Sequence, residues 1–190
     1  MTMLHDPTVL PTDLPAPVDD GACAHLPGMP MPVIALPATN GAVVNLAAPH
    51  DGRIIVYAYP RTGVPGVALP AGWDAIPGAR GCTPESCAFR DHHDDLDALG
   101  ARVFGLSTQD KAYQREVVTR LHLPFAILSD ADLTFTRVLG LPTFQVDGMT
   151  LIKRLTLVIR GGAIEHVFYP IFPPDAHADE VYRWLSNNRI

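Results

Sequence analysis

The stretch GCTPESCAFRD, residues 81–91, holds two of the three cysteines of this chain. Pro84 and Glu85 favour a helix that begins here, because proline suits the first helical turn and a carboxylate suits its positive end. Cys82 therefore falls at the helix start, where unpaired backbone N–H groups stabilise an anion. We expect this position, with Arg80 nearby, to lower the pKa of Cys82 and to make it a nucleophile. The alternative is a small buried apolar residue without chemistry.

Cys87 lies five positions further along the same predicted helix. Residues at that spacing are turned about 140° from each other around the helix axis and separated by ~7.5 Å along it. A disulfide needs Cα atoms within ~7 Å and side chains that face each other. Cys82 and Cys87 can therefore pair only if the first helical turn unwinds, so a redox cycle here would be coupled to local unfolding.

A metal site is a competing interpretation of the same segment. His92 and His93 follow Cys87 on the predicted helix, and Cys23 stands far upstream. Zinc sites usually combine four ligands and more closely spaced cysteine pairs. We therefore predict no metal and no other cofactor, assign the two histidines to a solvated helix face, and expect Cys23 to be an exposed or half-exposed thiol.

Strand and helix patterns alternate on both sides of this segment. An Asn40-Gly41 turn joins two short strands within residues 33–47 into an N-terminal β-hairpin. Further strands are predicted at residues 53–59, 101–107 and 125–129, and in a hairpin over 150–170 that turns at 160–162. Helices are predicted at residues 83–99, 110–121, 132–139 and 175–188. This order predicts an α/β fold, with a central mixed β-sheet flanked by helices.

The first part of the chain differs in composition from the rest. Residues 1–32 contain seven prolines, and proline removes backbone donors and favours extended chain. We predict a proline-rich arm over residues 1–32, without helix or sheet of its own and either mobile or wrapped on the body. One domain would follow over residues 33–190. A loop rich in proline and glycine fills residues 60–81, and loops of that length are often functional.

The composition fits a soluble globular protein and argues against some partners. The chain has 190 residues, of which 47% are hydrophobic and 18% charged, and a net charge of −6. This acidic balance argues against nucleic acid or an anionic membrane as the main partner. No run approaches the ~20 apolar residues that span a bilayer, and the first residues lack the basic and apolar regions of a signal peptide. Together with the odd, low cysteine count, these features predict a reducing, cytoplasmic location.

At this point the residues resemble a known family. The segment GCTPESCAFRD resembles the active-site segment of the peroxiredoxins, closest to the peroxiredoxin Q or bacterioferritin comigratory protein group. The segments around it match in the same order: LPGMPMPVIALPATNGAVVNLA, RIIVYAYPR, VFGLSTQD, FAILSDAD and KRLTLVIRGGAIEHVF. The resemblance covers roughly residues 26–188. It implies a thioredoxin-like fold and the reduction of hydrogen peroxide or organic hydroperoxides.

The resemblance also implies roles for single residues. Cys82 would be the peroxidatic cysteine, whose thiolate attacks the peroxide and becomes a sulfenic acid. Cys87 would condense with it to an intramolecular disulfide, which a thioredoxin- or glutaredoxin-type reductant would then open. Arg154, on a strand beside the cysteine, would stabilise the thiolate and the leaving oxygen. Glu85 and Arg90 would support this network or merely cap and decorate the helix.

The sequence departs from the family in one place. The family has a proline seven residues before the reactive cysteine and a Thr or Ser three residues before it, where this chain has Ala75 and Ala79. An insertion over residues 63–80 separates Cys82 from Thr62. We expect Thr62 to fold back and orient the peroxide, unless this role is lost or taken by another group.

The sequence leaves more than one role possible for the insertion and for the arm. Trp73 and Pro77 would shape a substrate pocket or a partner surface, or form a packing cluster that holds the loop. The arm would form a dimer contact or cover the core, so that a monomer and a homodimer both fit the sequence.

Three other functions compete with a peroxidase. A thioredoxin-like redox sensor or binding protein would use the same disulfide as a switch, without fast turnover. A thiol–disulfide oxidoreductase that acts on proteins usually carries a C-x-x-C motif, which the sequence lacks. A metal-binding module would carry zinc.

Overall fold

A computed structural model describes residues 6–190, and this part of the chain forms nine strands and five α-helices. The strands are β1 (Leu36–Pro37), β2 (Val43–Val44), β3 (Arg53–Ala58), β4 (Ala101–Ser107), β5 (Ile127–Ser129), β6 (Thr143–Val146), β7 (Met149–Ile152), β8 (Leu155–Arg160) and β9 (Ala163–Phe168). The helices are α1 (Cys82–Asp91), α2 (His93–Ala98), α3 (Lys111–Leu121), α4 (Thr134–Leu139) and α5 (His177–Asn187).

Five strands form the central sheet, in the order β5, β4, β3, β8 and β9. β3 runs parallel to β4 and antiparallel to β8, so the sheet is mixed. β1 and β2 form a separate antiparallel hairpin near the N-terminus, and β6 and β7 form another. The predicted α/β architecture is confirmed in its mixed central sheet and its N-terminal hairpin.

Side chains of β3 alternate between the two faces of the sheet, and both faces are buried. Ile54 and Val56 belong to a core cluster that also contains residues of α4, of the β1–β2 hairpin and of the arm. Ile55 and Tyr57 belong to a second cluster with residues of α1, α2, α3 and α5. A strand that is covered on both sides has a continuous apolar sequence, which explains the sequence of β3.

None of the helices in the described residues is long and apolar enough to cross a membrane.

The described part of the arm, residues 6–32, lies against the body of the protein. It contains turns and an isolated bridge, but neither helix nor strand. Leu26 is fully buried in the core. Asp20 accepts hydrogen bonds from Lys153 Nζ at 2.7 Å and from the Tyr169 hydroxyl at 2.8 Å. The first five residues of the predicted arm lie outside the described residues, and the boundary between arm and domain stays a prediction.

The single helix predicted over residues 83–99 is wrong, because the chain leaves the helical conformation at His92. This residue has φ −96° and ψ 5°, and α1 ends before it while α2 begins after it. Its ring nitrogen Nδ1 lies 3.0 Å from the carbonyl oxygen of Ala88. The backbone N–H of His92 also donates to this carbonyl oxygen, at 3.1 Å, so the ring adds a second bond at the end of α1.

The hairpin predicted over residues 150–170 is shorter in the structure. Its turn stands where predicted, but only β8 and β9 pair across it. The residues before β8 form β7, which pairs with β6 instead. Arg154 therefore lies in the short connection between β7 and β8, and its predicted place on a strand is corrected.

The insertion folds onto the β6–β7 hairpin. Trp73 is 3% exposed and packs with Ala79 and Leu151 in a small apolar cluster. Its ring centroid lies 6.1 Å from that of Phe144. Pro77 lines an apolar cavity of about 290 Å³ between the insertion and the arm. The loop is thus held by packing against this hairpin, and its last residues lead into the start of α1.

Candidate active site

Cys82 is the first residue of α1, and its side chain is buried, with 3% exposure. The residue before it, Gly81, has φ 98°, which lies in the left-handed region. A side chain at this position would collide with Pro174 and with Leu10 of the arm. Glycine is needed here for both reasons, and this turn determines where the sulfur of Cys82 lies.

Arg154 connects Cys82 with the end of the insertion. Its Nη2 lies 3.2 Å from Cys82 Sγ and 3.0 Å from the carbonyl oxygen of Arg80. The same nitrogen lies 3.3 Å from the carbonyl oxygen of Gly78, and Nη1 forms an ion pair with Glu85. Because the side chain of Arg154 is 2% exposed, its charge acts on the sulfur with little screening by water.

Glu85 is fully buried and supports the arginine rather than only capping the helix. Burial raises the pKa of its carboxyl group, while the charges of Arg154 and His177 act in the opposite direction. Its Oε1 has no hydrogen-bond partner in the described residues. A buried carboxylate with so few partners depends on its cation, because removing one member of such a pair leaves an uncompensated charge.

Burial raises the pKa of the Cys82 thiol above its usual value. Arg154 opposes this rise, whereas the carboxylate of Glu85 adds to it. The expected lowering of this pKa is therefore wrong in direction, because desolvation of the thiolate is the larger effect. Arg80 was expected to help, but its guanidinium pairs with Asp74 at 3.0 Å.

A small cavity of about 20 Å³ lies beside Cys82. Pro7 of the arm and Leu69 and Trp73 of the insertion line it together with Cys82 and Thr83 of α1. A cavity of this size accepts about one water-sized molecule. This volume matches the peroxide group itself, so the substituent of an organic hydroperoxide would have to lie outside the cavity.

Thr62 does not fold back onto Cys82, and this expectation is corrected. It is fully buried, and its hydroxyl lies 3.2 Å from Oε1 of Gln109, to which it donates. Its carbonyl oxygen accepts a hydrogen bond from the Tyr113 hydroxyl at 3.0 Å. The described residues that line the cavity beside Cys82 include the neighbours Arg61 and Gly63 but not Thr62.

Thr83 is the functional candidate that the sequence reasoning missed. Its side chain is 2% exposed and lines the same cavity as Cys82. Its hydroxyl oxygen has no hydrogen-bond partner in the described residues. The sequence feature that could have indicated Thr83 is its position directly after Cys82.

Cys87 lies on α1, half-buried and reduced. Burial raises the pKa of its thiol, and Arg90 opposes the rise. Arg90 does not reach Arg154 or Glu85; it donates to Asp91 at 2.8 Å and to the carbonyl oxygen of Leu121 at 3.0 Å. It therefore belongs to the surroundings of Cys87.

Cys23 is buried at 6% exposure, so the expectation of an exposed or half-exposed thiol is wrong. Burial, with Asp20 and Asp19 nearby, raises its pKa to about 12. His92 and His93 are partly buried, next to Tyr182 and Phe125, and do not form a solvated face. No group of three or more His, Cys, Asp or Glu in residues 6–190 could hold a metal ion.

A mixed sheet with a buried cysteine at a helix start, and an arginine against its sulfur, defines a class of thiol-based redox proteins. The sequence model of the Redoxin family matches residues 26–182. Peroxiredoxin Bcp of Escherichia coli K12 is 30% identical over 161 residues, which cover 83% of this chain and 93% of that protein. The chain therefore belongs to the redoxin family and, within it, to the peroxiredoxins of the Q and Bcp type.

Two further comparisons agree with this assignment. Chloroplastic peroxiredoxin Q of rice, Oryza sativa subsp. japonica, is 29% identical over 161 residues, which cover 84% of this chain. The match spans 66% of that plant protein, slightly less than two thirds of its length. The crystal structure of peroxidoxin BcpB from Mycobacterium tuberculosis superposes with a TM-score of 0.69 at 26% identity, covering 87% of this chain and 100% of the other. The resemblance and the thioredoxin-like fold are confirmed.

Proposed function

We propose that this protein is a thiol peroxidase that reduces hydrogen peroxide or organic hydroperoxides. The observation that carries this proposal is the 3.2 Å contact between Arg154 Nη2 and Cys82 Sγ, beside a cavity of water-sized volume. The names of the relatives, peroxiredoxin Q and Bcp, support the same activity. The electrons come from the sulfur of Cys82, so the reaction uses no cofactor.

The first step forms an S–O bond and breaks the O–O bond. The Cys82 thiolate attacks one peroxide oxygen, and the other oxygen leaves and takes up a proton, giving water or an alcohol. The sulfur is oxidised to a sulfenic acid and the peroxide is reduced. Arg154 stabilises both the thiolate and the charge that develops on the leaving oxygen. Its contribution is needed here because burial of Cys82 favours the neutral thiol.

The second step joins Cys87 to the oxidised Cys82. The Cys87 thiol attacks the sulfenic sulfur, a disulfide forms, and the hydroxyl group leaves as water. Both cysteines lie on α1 in the reduced protein, so the first turn of the helix has to unwind before the sulfurs can meet. An external dithiol of the thioredoxin or glutaredoxin type then reduces the disulfide by exchange.

The cellular compartment of the protein follows from the same reaction scheme, and we extend the proposal to its oligomeric state and partners. A cycle that returns both cysteines to thiols needs a reducing compartment, and we place the protein in the cytoplasm. The protein acts as a monomer or a homodimer, without nucleic acid or membrane as a partner.

A second candidate is a thioredoxin-like redox sensor or binding protein. It would use the same disulfide as a switch without efficient turnover. The raised pKa of Cys82 favours it, because a smaller thiolate fraction slows the reaction with peroxide.

The test is rapid mixing of the reduced protein with one equivalent of hydrogen peroxide, followed by intact mass and free-thiol counting. A peroxidase loses two thiols, at Cys82 and Cys87, far faster than free cysteine reacts. It then consumes peroxide continuously with thioredoxin, thioredoxin reductase and NADPH. Oxidation at the rate of free cysteine would exclude the peroxidase. Fast oxidation of Cys82 would favour the sensor if neither the thioredoxin system nor the glutaredoxin system then supported continuous turnover.

A further inference from the structure

The site described above lacks one kind of group that a peroxide would use. Cys82 and Arg154 supply a nucleophile and a cation, but a guanidinium only donates hydrogen bonds, whereas a hydroxyl could both donate to a peroxide and accept from it. Ala79 stands where the related family has a hydroxyl, and the hydroxyl of Thr62 is bonded to Gln109 at 3.2 Å. A hydroxyl that bonds the peroxide therefore has to come from another of the described residues.

Thr83 carries a buried hydroxyl without a partner. It is 2% exposed, and its Oγ1 makes no hydrogen bond with any described residue. Buried hydroxyls in folded proteins are nearly always paired, and those that are not call for an explanation. A threonine in the first turn of a helix commonly bonds a backbone group of that turn, yet this one does not.

The place of Thr83 in the fold suggests what this hydroxyl is for. Thr83 and Cys82 line one cavity of about 20 Å³, which accepts about one water-sized molecule. A hydroxyl can both donate and accept a hydrogen bond, so it suits both oxygens of a peroxide. Arg154, whose Nη2 lies 3.2 Å from the sulfur, provides donors of fixed charge and cannot accept.

We propose that the Thr83 hydroxyl holds the peroxide in this cavity and orients it for attack by Cys82. The inference rests on the proposed peroxidase function and deepens it. As the S–O bond forms and the O–O bond breaks, the hydroxyl donates to the oxygen that gains negative charge. A donor that is in place before the reaction stabilises this charge without reorganisation. Thr83 is thereby a catalytic residue of this chain, in a position that follows the cysteine.

The test compares two reactions of the same sulfur in the Thr83→Val variant. Valine keeps the branched shape and removes the hydroxyl. We expect the second-order rate constant for oxidation of Cys82 by hydrogen peroxide to fall by about 10²-fold, the usual cost of losing one such donor. The rate of alkylation by iodoacetamide at the same pH should change less than about twofold, because that reagent has no O–O bond to orient. Thr83→Ser should restore the peroxide rate.

Two further variants make the result specific. Thr134→Val makes the same change at an exposed threonine that begins α4 and should alter neither rate. Thr62→Val tests the competing hydroxyl. A peroxide rate that falls with Thr62→Val but not with Thr83→Val would overturn the inference, and so would equal losses in the peroxide and alkylation rates of Thr83→Val.

The failure of this inference is distinguishable from failure of the proposed function. If the unchanged protein reacts rapidly with peroxide and Thr83→Val does too, the peroxidase stands and the role of Thr83 is excluded. If the unchanged protein reacts with peroxide only as fast as free cysteine, both proposals are excluded. Circular dichroism of each variant shows whether the overall helix content is kept, and rescue by serine excludes a loss caused by misfolding.

Discussion

Arg154 Nη2 lies 3.2 Å from Cys82 Sγ, although the two residues are 72 positions apart in the chain. The contact depends on the central sheet, because β8, which follows Arg154, pairs with β3, whose end leads into the loop before Cys82. The same guanidinium nitrogen also binds the carbonyl oxygen of Arg80. One side chain thus fixes the sulfur and the backbone that precedes it.

Replacing Arg154 by alanine should slow sulfenic acid formation by ~10²-fold or more, because the charge that stabilises the leaving oxygen is lost. The measurement is the second-order rate constant for oxidation of Cys82 by hydrogen peroxide, followed by quenching and intact mass. The variant also leaves Glu85 buried without its cation, which costs roughly 3–5 kcal/mol of folding stability.

Two controls separate these effects of Arg154. The double variant Glu85→Gln/Arg154→Ala removes the unpaired carboxylate and should recover stability in urea, but not the oxidation rate. Arg160→Ala removes a half-exposed arginine at the end of β8 and should leave the rate unchanged. An unchanged oxidation rate in Arg154→Ala would mean that Arg154 serves only as the structural ion-pair partner of Glu85.

Much of the fold could be predicted from the sequence, because the signals for it are local. The apolar run of β3 and the turn at Asn40-Gly41 are of this kind. The helix start at Cys82 was also predicted, and the structure confirms these elements. The break at His92 was not predicted, since a change in the backbone angles of one residue leaves no trace in an amphipathic pattern.

The chemistry of the site was less predictable, because it depends on contacts between distant parts of the chain. The pKa of Cys82 follows from burial by the arm and the insertion, and not from the helix start alone. Thr62 was expected at the peroxide because it is the nearest upstream hydroxyl in a motif, yet Gln109 binds it. The free hydroxyl of Thr83 could be recognised only by counting hydrogen bonds in three dimensions.

Cys87→Ser should still react once with peroxide but should not recycle. With Cys87 removed, the sulfenic acid on Cys82 has no partner within α1, so one thiol is lost and turnover with a thioredoxin system stops. Intact mass after one equivalent of peroxide should show one added oxygen and no disulfide. Cys23→Ala changes a buried cysteine outside α1 and should turn over normally. Full steady-state activity in Cys87→Ser would disprove the intramolecular disulfide.

Oxidation of Cys82 should accelerate with pH through the neutral range. Burial raises the pKa of the thiol, so the folded protein favours the protonated form and the thiolate fraction is small below that pKa. Each unit of pH should then raise the rate constant about tenfold between pH 6 and pH 8, as expected for a thiolate nucleophile. Stopped-flow mixing at constant ionic strength, with free cysteine as a reference, gives this profile. A rate constant that is flat over this range would mean that the pKa lies below 6 and that Arg154 outweighs burial.

Trp73→Ala should shift the preference of the enzyme toward bulky hydroperoxides. The indole is 3% exposed and helps to line the cavity of about 20 Å³ beside Cys82, so its removal opens space that cumene hydroperoxide needs and hydrogen peroxide does not. We expect the ratio of kcat/KM for cumene hydroperoxide to that for hydrogen peroxide to rise about tenfold, within the range for steric discrimination in a pocket. Loss of packing lowers the folded fraction equally for both substrates, so the ratio reports on the cavity alone. Val67→Ala, at an exposed position of the same insertion, should leave the ratio unchanged. An equal change in both rate constants for Trp73→Ala would mean that this side chain only holds the loop in place.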